Sequence, residues 1–147
     1  MAMRLIAKRV GREDGSAVVE TAFLGSLIFG IIIQSIVLFG TLQRAALATS
    51  AASREVGRVV VLSQGDPEAA MRARYVVIAA ARDHGLGDDD LAVSVTGARS
   101  RGGFLRVEVR TNVRVFGIPL LERFIPSPSI PVVATHTVRL DKYASAP

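Results

Sequence analysis

The sequence contains no cysteine, so neither a disulfide nor a thiolate-bound metal can hold its fold. It has no tryptophan, two tyrosines and six phenylalanines, which is few for a surface that stacks nucleic-acid bases. It also lacks a G-x-S-x-G nucleophile motif and a paired acid–base set. We therefore expect no enzymatic activity, no cofactor and no nucleic-acid partner, although a net charge of +5 permits contact with anionic surfaces.

Charge is also absent from one long stretch, between Glu20 and Arg44. This run of about 23 residues exceeds the roughly 20 that an α-helix needs to cross the hydrocarbon core of a bilayer. A helix satisfies its backbone hydrogen bonds internally, as a lipid environment requires. The run therefore predicts one transmembrane helix in contact with membrane lipid.

A basic arm, residues 1–15, precedes the run and favours an N-terminus in the cytoplasm. Further arginines follow the run, so the charge count alone is a weak guide to orientation. The tripeptide Ala46-Leu47-Ala48 resembles a signal-peptidase site, but a secretory signal has an apolar core of only roughly 7–15 residues. We therefore expect a signal anchor rather than a cleaved secretory signal.

Small and polar residues recur at every fourth position of the run: Ala22, Ser26, Gly30 and Gln34. A spacing of four places them on one helix face. Small side chains let two membrane helices approach closely, and a polar side chain in lipid gains about 0.6–2 kcal/mol from a hydrogen-bonding partner. Membrane helices also tolerate glycine and serine without such packing, but Gln34 favours a helix-packing face.

The helical pattern continues to about residue 62, because apolar residues recur at three- and four-residue steps and no proline occurs before Pro67. The part beyond the membrane is a stalk whose apolar stripe requires a cover. Asp66 is the predicted N-cap of a second helix, with Pro67 at its first position. This helix is predicted over residues 67–82, followed by Gly85 or Gly87. Its predicted buried residues are Met71, Tyr75, Ile78 and Ala81.

Beyond residue 90 the apolar residues alternate, which predicts strands at residues 91–96, 105–115 and 132–140. We expect an antiparallel meander with one face on the helices and one in water. The segment 117–131 is either a lid over the core of the sheet or a partner contact. The predicted fold class is thus α+β and pilin-like. Its parts are a cytoplasmic leader (residues 1–15), a transmembrane helix and stalk (16–62), and a C-terminal domain outside the cytoplasm (63–147).

A processing motif stands directly ahead of the apolar run. Gly15 is followed five residues later by Glu20, the pattern that prepilin peptidase recognises, and cleavage would fall between Gly15 and Ser16. The new amine at Ser16 could then pair with Glu20 of a neighbouring subunit, since either charge alone is costly in lipid. Two alternatives remain open: Glu20 could simply favour the positive end of the helix, and Ser16 could be only an N-cap.

The stretch GSAVVETAFL, residues 15–24, resembles the start of the TadE-like proteins of the tight-adherence (Flp) pilus assembly system, which are minor pilin-like members of the type IV pilin group. The segment AASREVGRVVVL, residues 51–62, is similar to the Ala-rich segment of that family. A phenylalanine often follows the family's glutamate, where this chain has Thr21. The resemblance implies cleavage by a prepilin peptidase after Gly15 and other pilin-like subunits as partners. It also implies a role in assembly in the bacterial cytoplasmic membrane, with possible incorporation into the pilus.

Other candidate sites are poorer. Asp88-Asp89-Asp90 lacks the ligand spacing of an EF-hand loop, and His84 and His136 are isolated histidines. Arginines 106, 110 and 114 share one strand face and would either bind phosphates or keep the sheet from aggregating. The alternative function for the whole chain is an uncleaved, membrane-anchored binding module of the cell envelope.

Overall fold

The computed structural model describes the backbone of residues 3–98, 100, 102–115 and 128–140, and side chains from residue 16 onward. The elements are α1 (Met3–Leu62), α2 (Asp66–Asp83), β1 (Ala92–Gly97), β2 (Phe104–Arg114) and β3 (Ser129–Arg139). The predicted α+β layout is confirmed. The chain divides into two compact units, Met1–Leu38 and Phe39–Pro147. The segment predicted as a lid or partner contact lies mostly outside the described residues.

The three strands form one antiparallel sheet in the order β1-β2-β3, as the alternation predicts. Leu105, Val107 and Val109 of β2 are buried, whereas Arg106 and Arg110, which alternate with them, are exposed. Each side chain points to the opposite face from the one before it, because the side-chain period of a strand is two. The sheet therefore has one apolar face and one solvent-exposed polar face.

The apolar stripe of the stalk is covered by the C-terminal domain of the same chain. Ala48, Ala52, Val56 and Val60 of α1 are at most 5% exposed. They share one hydrophobic cluster with residues of α2, β2 and the α2–β1 connection. Thr49 is also buried, and its hydroxyl donates to the carbonyl of Ala45 at 2.9 Å, so no polar group is left unpaired there.

The boundaries of α2 differ slightly from the prediction. The N-cap is Gly65 rather than Asp66, because Asp66 is already the first residue of the helix. Glu68 instead accepts a hydrogen bond from the backbone N–H of Gln64 at 2.9 Å. At the other end Gly85 has φ +69°, and the N–H of Leu86 donates to the carbonyl of Ala81 at 2.8 Å. This is a Schellman ending, and it selects Gly85 over Gly87 as the residue after the helix.

The predicted buried face of α2 is wrong for two residues. Met71 and Tyr75 are 56% and 69% exposed, while the core is contacted by a stripe of alanines and one valine: Ala69, Ala73, Val77 and Ala81. Ile78 is half-buried. Leucine and valine side chains from the other elements already fill this core, so small residues of α2 fit against it better than large ones.

β1 is less covered than the other strands. Its inward-facing Val93 and Val95 remain 37% and 39% exposed, and they line a groove of about 430 Å³. The opposite wall of this groove carries Ala69 and Ala73 of α2. The short alanine side chains explain the groove, because they leave space that larger residues would fill.

A bidentate ion pair fixes the connection between α2 and β1. Nε and Nη2 of Arg82 donate to the two carboxylate oxygens of Asp88 at 2.7 and 2.6 Å. This hydrogen bonding lowers the pKa of Asp88 from its ordinary value. Because the pKa of Asp88 is lower in the folded state, the ion pair stabilises the fold at pH values above the ordinary pKa of aspartate. This stabilisation is lost as the pH falls through the lowered pKa.

We therefore expect the Asp88 carboxyl to titrate below the ordinary range of aspartate when its ¹³C shift is followed by NMR. Arg82→Gln should return the midpoint towards the ordinary value, because it removes the donor. Arg72→Gln is the matched control, since Arg72 pairs with Glu68 at 2.7 Å and should leave the Asp88 titration unchanged. An Asp88 midpoint that does not respond to Arg82→Gln would contradict the assignment. The effect on stability should be small, because the pair is exposed.

Candidate functional site

The first half of α1 carries an uncovered apolar surface. Phe23, Ile28 and Ile36 each leave more than half of their side-chain surface exposed, and the most apolar part of the helix has no buried residue. Soluble monomers rarely expose a continuous apolar surface of this extent. The helix Ser16–Leu62 is long and apolar enough to cross a membrane by length and composition.

The polar side chains within this apolar surface satisfy themselves on their own helix. The hydroxyls of Thr21, Ser26 and Ser35 donate to the carbonyls four residues earlier, each at 2.8 Å. Because these donors are already paired, they add little to the cost of placing the helix in lipid. Hydroxyl residues within helices commonly make such bonds to the preceding turn.

The predicted packing residues lie along one side of α1. Ala22 and Ser26 are joined by the Ser26 hydroxyl bond, and a methyl group added at Gly30 would meet no heavy atom within 4 Å. Gln34 is half-buried and already has an interaction within the chain. Each step of four residues turns the direction by about 40°, so the four positions trace a slanting stripe. Such a stripe suits a second helix that crosses α1 at an angle.

The predicted processing residues lie on the same helix. Gly15 falls within α1, and Ser16 and Glu20 are exposed. Ser16 and Glu20 are four residues apart and therefore share a face. A peptidase needs an extended backbone at the bond it cuts, so cleavage after Gly15 would require the helix to open locally. Glycine lowers the cost of this opening, because it is about 1 kcal/mol less favourable than alanine inside a helix.

The arginines of β2 form a mixed rather than purely basic surface. Arg106, Arg110 and Arg114 are exposed on the outer face, and Glu108 between them pairs with Arg110. This carboxylate removes part of the positive charge that a phosphate would need. The arrangement favours the interpretation that the charges keep the sheet soluble.

The acidic loop and the two histidines do not converge. Asp88 is held by Arg82, and Asp90 accepts the backbone N–H of Gly87 at 2.6 Å. His84 caps α2, and His136 lies in β3. Within the part of the chain that the structure describes, no group of three or more His, Asp or Glu residues could hold a metal ion.

Sequence analysis missed a cleft of about 750 Å³ that Arg44 and Thr41 of α1 share with residues of β2. One signal was present, because Arg44 is the first charged residue after the apolar run. Its neighbours in the cleft, including Thr111 and Arg114, are distant in sequence, so no local pattern could reveal the site.

No family model, curated protein or solved structure matches this chain. Support for any function therefore comes from the residues themselves and from their placement in the fold.

Proposed function

We propose that this chain is a minor pilin-like assembly component of a tight-adherence (Flp, type IV-like) pilus, processed by a prepilin peptidase after Gly15. The observation that carries the proposal is the uncovered apolar surface of α1, headed by Gly15, Ser16 and Glu20. The resemblance of residues 15–24 and 51–62 to TadE-like proteins supports the same assignment. In this proposal the work of the protein is structural and is done by lateral packing of helices.

The proposed topology is a single pass with the N-terminus in the cytoplasm. The basic arm then lies on the cytoplasmic side, where positive residues are enriched, and the Gly15–Ser16 bond lies at that membrane face. The C-terminal domain lies outside the cytoplasm. Its stability without cysteine comes from the shared core of α1, α2 and the sheet.

Cleavage gives Glu20 its role. It creates an amine at Ser16, one helical turn from Glu20 on the same helix face. In a stack of such helices the amine of one subunit reaches the carboxylate of its neighbour. The low dielectric of the membrane strengthens this pair, and it penalises either charge if it stays unpaired.

The first test is the N-terminus of the membrane-bound protein. The full chain is co-expressed with a prepilin peptidase in a bacterial host, and its intact mass and N-terminal sequence are determined. We expect the mature chain to begin at Ser16. Gly15→Val should leave the leader attached, because a branched side chain does not fit where the extended backbone enters the protease.

Gly25→Val is the matched control, since a Cβ at this position meets no heavy atom within 4 Å. It should be processed like the wild type. A wild-type membrane form that keeps residues 1–15 in the presence of the peptidase would refute processing.

The alternative is an uncleaved, membrane-anchored binding module of the cell envelope. The observation that favours it is the continuity of α1 through Gly15, which leaves the predicted scissile bond in helical backbone. The same measurement separates the two functions, because the binding module keeps Met1 or Ala2 at its N-terminus.

A further inference from the structure

The cleft that contains Arg44 has the size and lining of a ligand site. Its volume of about 750 Å³ lies within the range of small-molecule sites. α1, β2 and the connection between α2 and β1 all contribute to its wall.

Arg44 brings a positive charge to this cleft. It is exposed, and its guanidinium makes no ion pair or hydrogen bond with another described residue. It lies beside the turn that ends α2, because a Cβ built on Gly85 would be 4.0 Å from Nη1. Since the described chain supplies no acceptor, the five N–H donors of Arg44 are open to a ligand.

Thr111 brings a second unused group. It is only 6% exposed and lines the cleft, and no described residue forms a hydrogen bond with its hydroxyl. A hydroxyl in such a position is satisfied by a bound ligand or by water.

The charges around the cleft favour an anion. Arg44 and Arg114 line it, and Asp90 is the one carboxylate among the described lining residues. Asp90 is partly occupied by the backbone N–H of Gly87 at 2.6 Å. Guanidinium groups match the geometry of phosphate oxygens.

The position of the cleft along α1 indicates the source of a phosphate that binds there. Thr41 and Arg44 flank the end of the uncharged run, whose length of about 23 residues matches the hydrocarbon core of a bilayer. Lipid phosphates lie directly outside that core. We propose that this cleft binds the phosphate of an anionic phospholipid from the membrane that α1 spans. The inference rests on the membrane placement in the proposed function, and it does not depend on processing or pilus assembly.

Native mass spectrometry of the detergent-solubilised full chain tests this inference. The probes are phosphatidylglycerol, phosphatidylcholine and inorganic phosphate, each added separately. We expect one phosphatidylglycerol to be retained in preference to phosphatidylcholine. Arg44→Gln should weaken retention about tenfold, because it removes charge-assisted hydrogen bonds to the phosphate.

Two further variants sharpen the test. Asp90→Asn should strengthen retention, because it removes the opposing charge and keeps an oxygen for the Gly87 N–H. Arg54→Gln is the matched control. Arg54 is an exposed arginine ten residues further along α1, and it does not line the cleft. Its replacement should leave the retention of phosphatidylglycerol unchanged. Thermal unfolding of each variant checks that the fold is intact.

Equal retention by wild type and Arg44→Gln would overturn the inference. So would equal binding of the two lipids, or binding of inorganic phosphate with no preference for phosphatidylglycerol. Failure of the proposed function is distinguishable: a chain that keeps its leader yet loses lipid on Arg44→Gln refutes processing alone. A chain that is extracted from membranes by alkaline carbonate refutes the membrane placement itself.

Discussion

Gly57→Val should destabilise the C-terminal domain by about 3 kcal/mol, because the position has no room for a side chain. Gly57 is buried, and a Cβ there would lie 2.7 Å from Cγ2 of Val138 and 3.1 Å from Cδ2 of His136. Valine is stiff about χ1, so Val138 cannot rotate away cheaply. Either α1 or β3 has to move, and the packing between them is lost.

Gly57→Ala should change the free energy of unfolding less than Gly57→Val does. The sign of this change shows which of two opposing contributions is larger. Alanine favours the helix by about 1 kcal/mol over glycine, and overpacking costs about 1–3 kcal/mol, so we expect a net loss. The control is Gly40→Ala on the same helix, where a Cβ would meet no heavy atom within 4 Å. It should leave the domain as stable as the wild type, or more so.

The free energy of unfolding is measured by hydrogen exchange of the β2 and β3 amides, on the full chain in detergent with increasing urea. These amides report on the sheet, whereas circular dichroism would be dominated by α1. Wild-type protection in Gly57→Val would show that α1 does not approach β3 as closely as the structure places it.

Glu20→Gln should leave cleavage intact and reduce incorporation into pili by about a hundredfold or more, provided that the proposed function is right. Removing one partner of a buried ion pair costs about 3–5 kcal/mol, because the other charge stays buried and unpaired. The unpaired group is the new amine at Ser16. The mature protein should therefore accumulate in the membrane.

The amount of protein in sheared pili, relative to the membrane fraction, measures this effect. Glu55→Gln is the matched control, since Glu55 is an acidic residue of the same helix that pairs locally with Arg58 beyond the apolar run. It should assemble normally. Normal assembly of Glu20→Gln would show that Glu20 does not pair with a neighbouring subunit and interacts only with the positive N-terminal end of its own helix.

If both the lipid site and the packing stripe operate, they act at different levels of α1. Ala22, Ser26, Gly30 and Gln34 belong to the apolar run, whereas Arg44 follows it. Arg44→Gln should therefore alter lipid retention without removing the contact between helices. The two sets of variants can then be scored independently, because sites without shared partners give additive effects.

The amino-acid sequence alone predicted the long helix, the second helix, the three strands and their antiparallel order. These features depend on local signals, namely an unbroken apolar run, residues that end helices, and a change of periodicity from helix to strand. It also supplied Gly15, Ser16 and Glu20 and their resemblance to TadE-like proteins, which stay predictions.

The three-dimensional packing established which face of α2 is buried, because large side chains fit there only if the core leaves space for them. It also decided that Gly57 contacts β3, and that Arg44 and Thr111 share one cleft. Close approaches between distant segments depend on the shapes of both surfaces. The periodicity of one segment contains no information about the shape of the segment that packs against it.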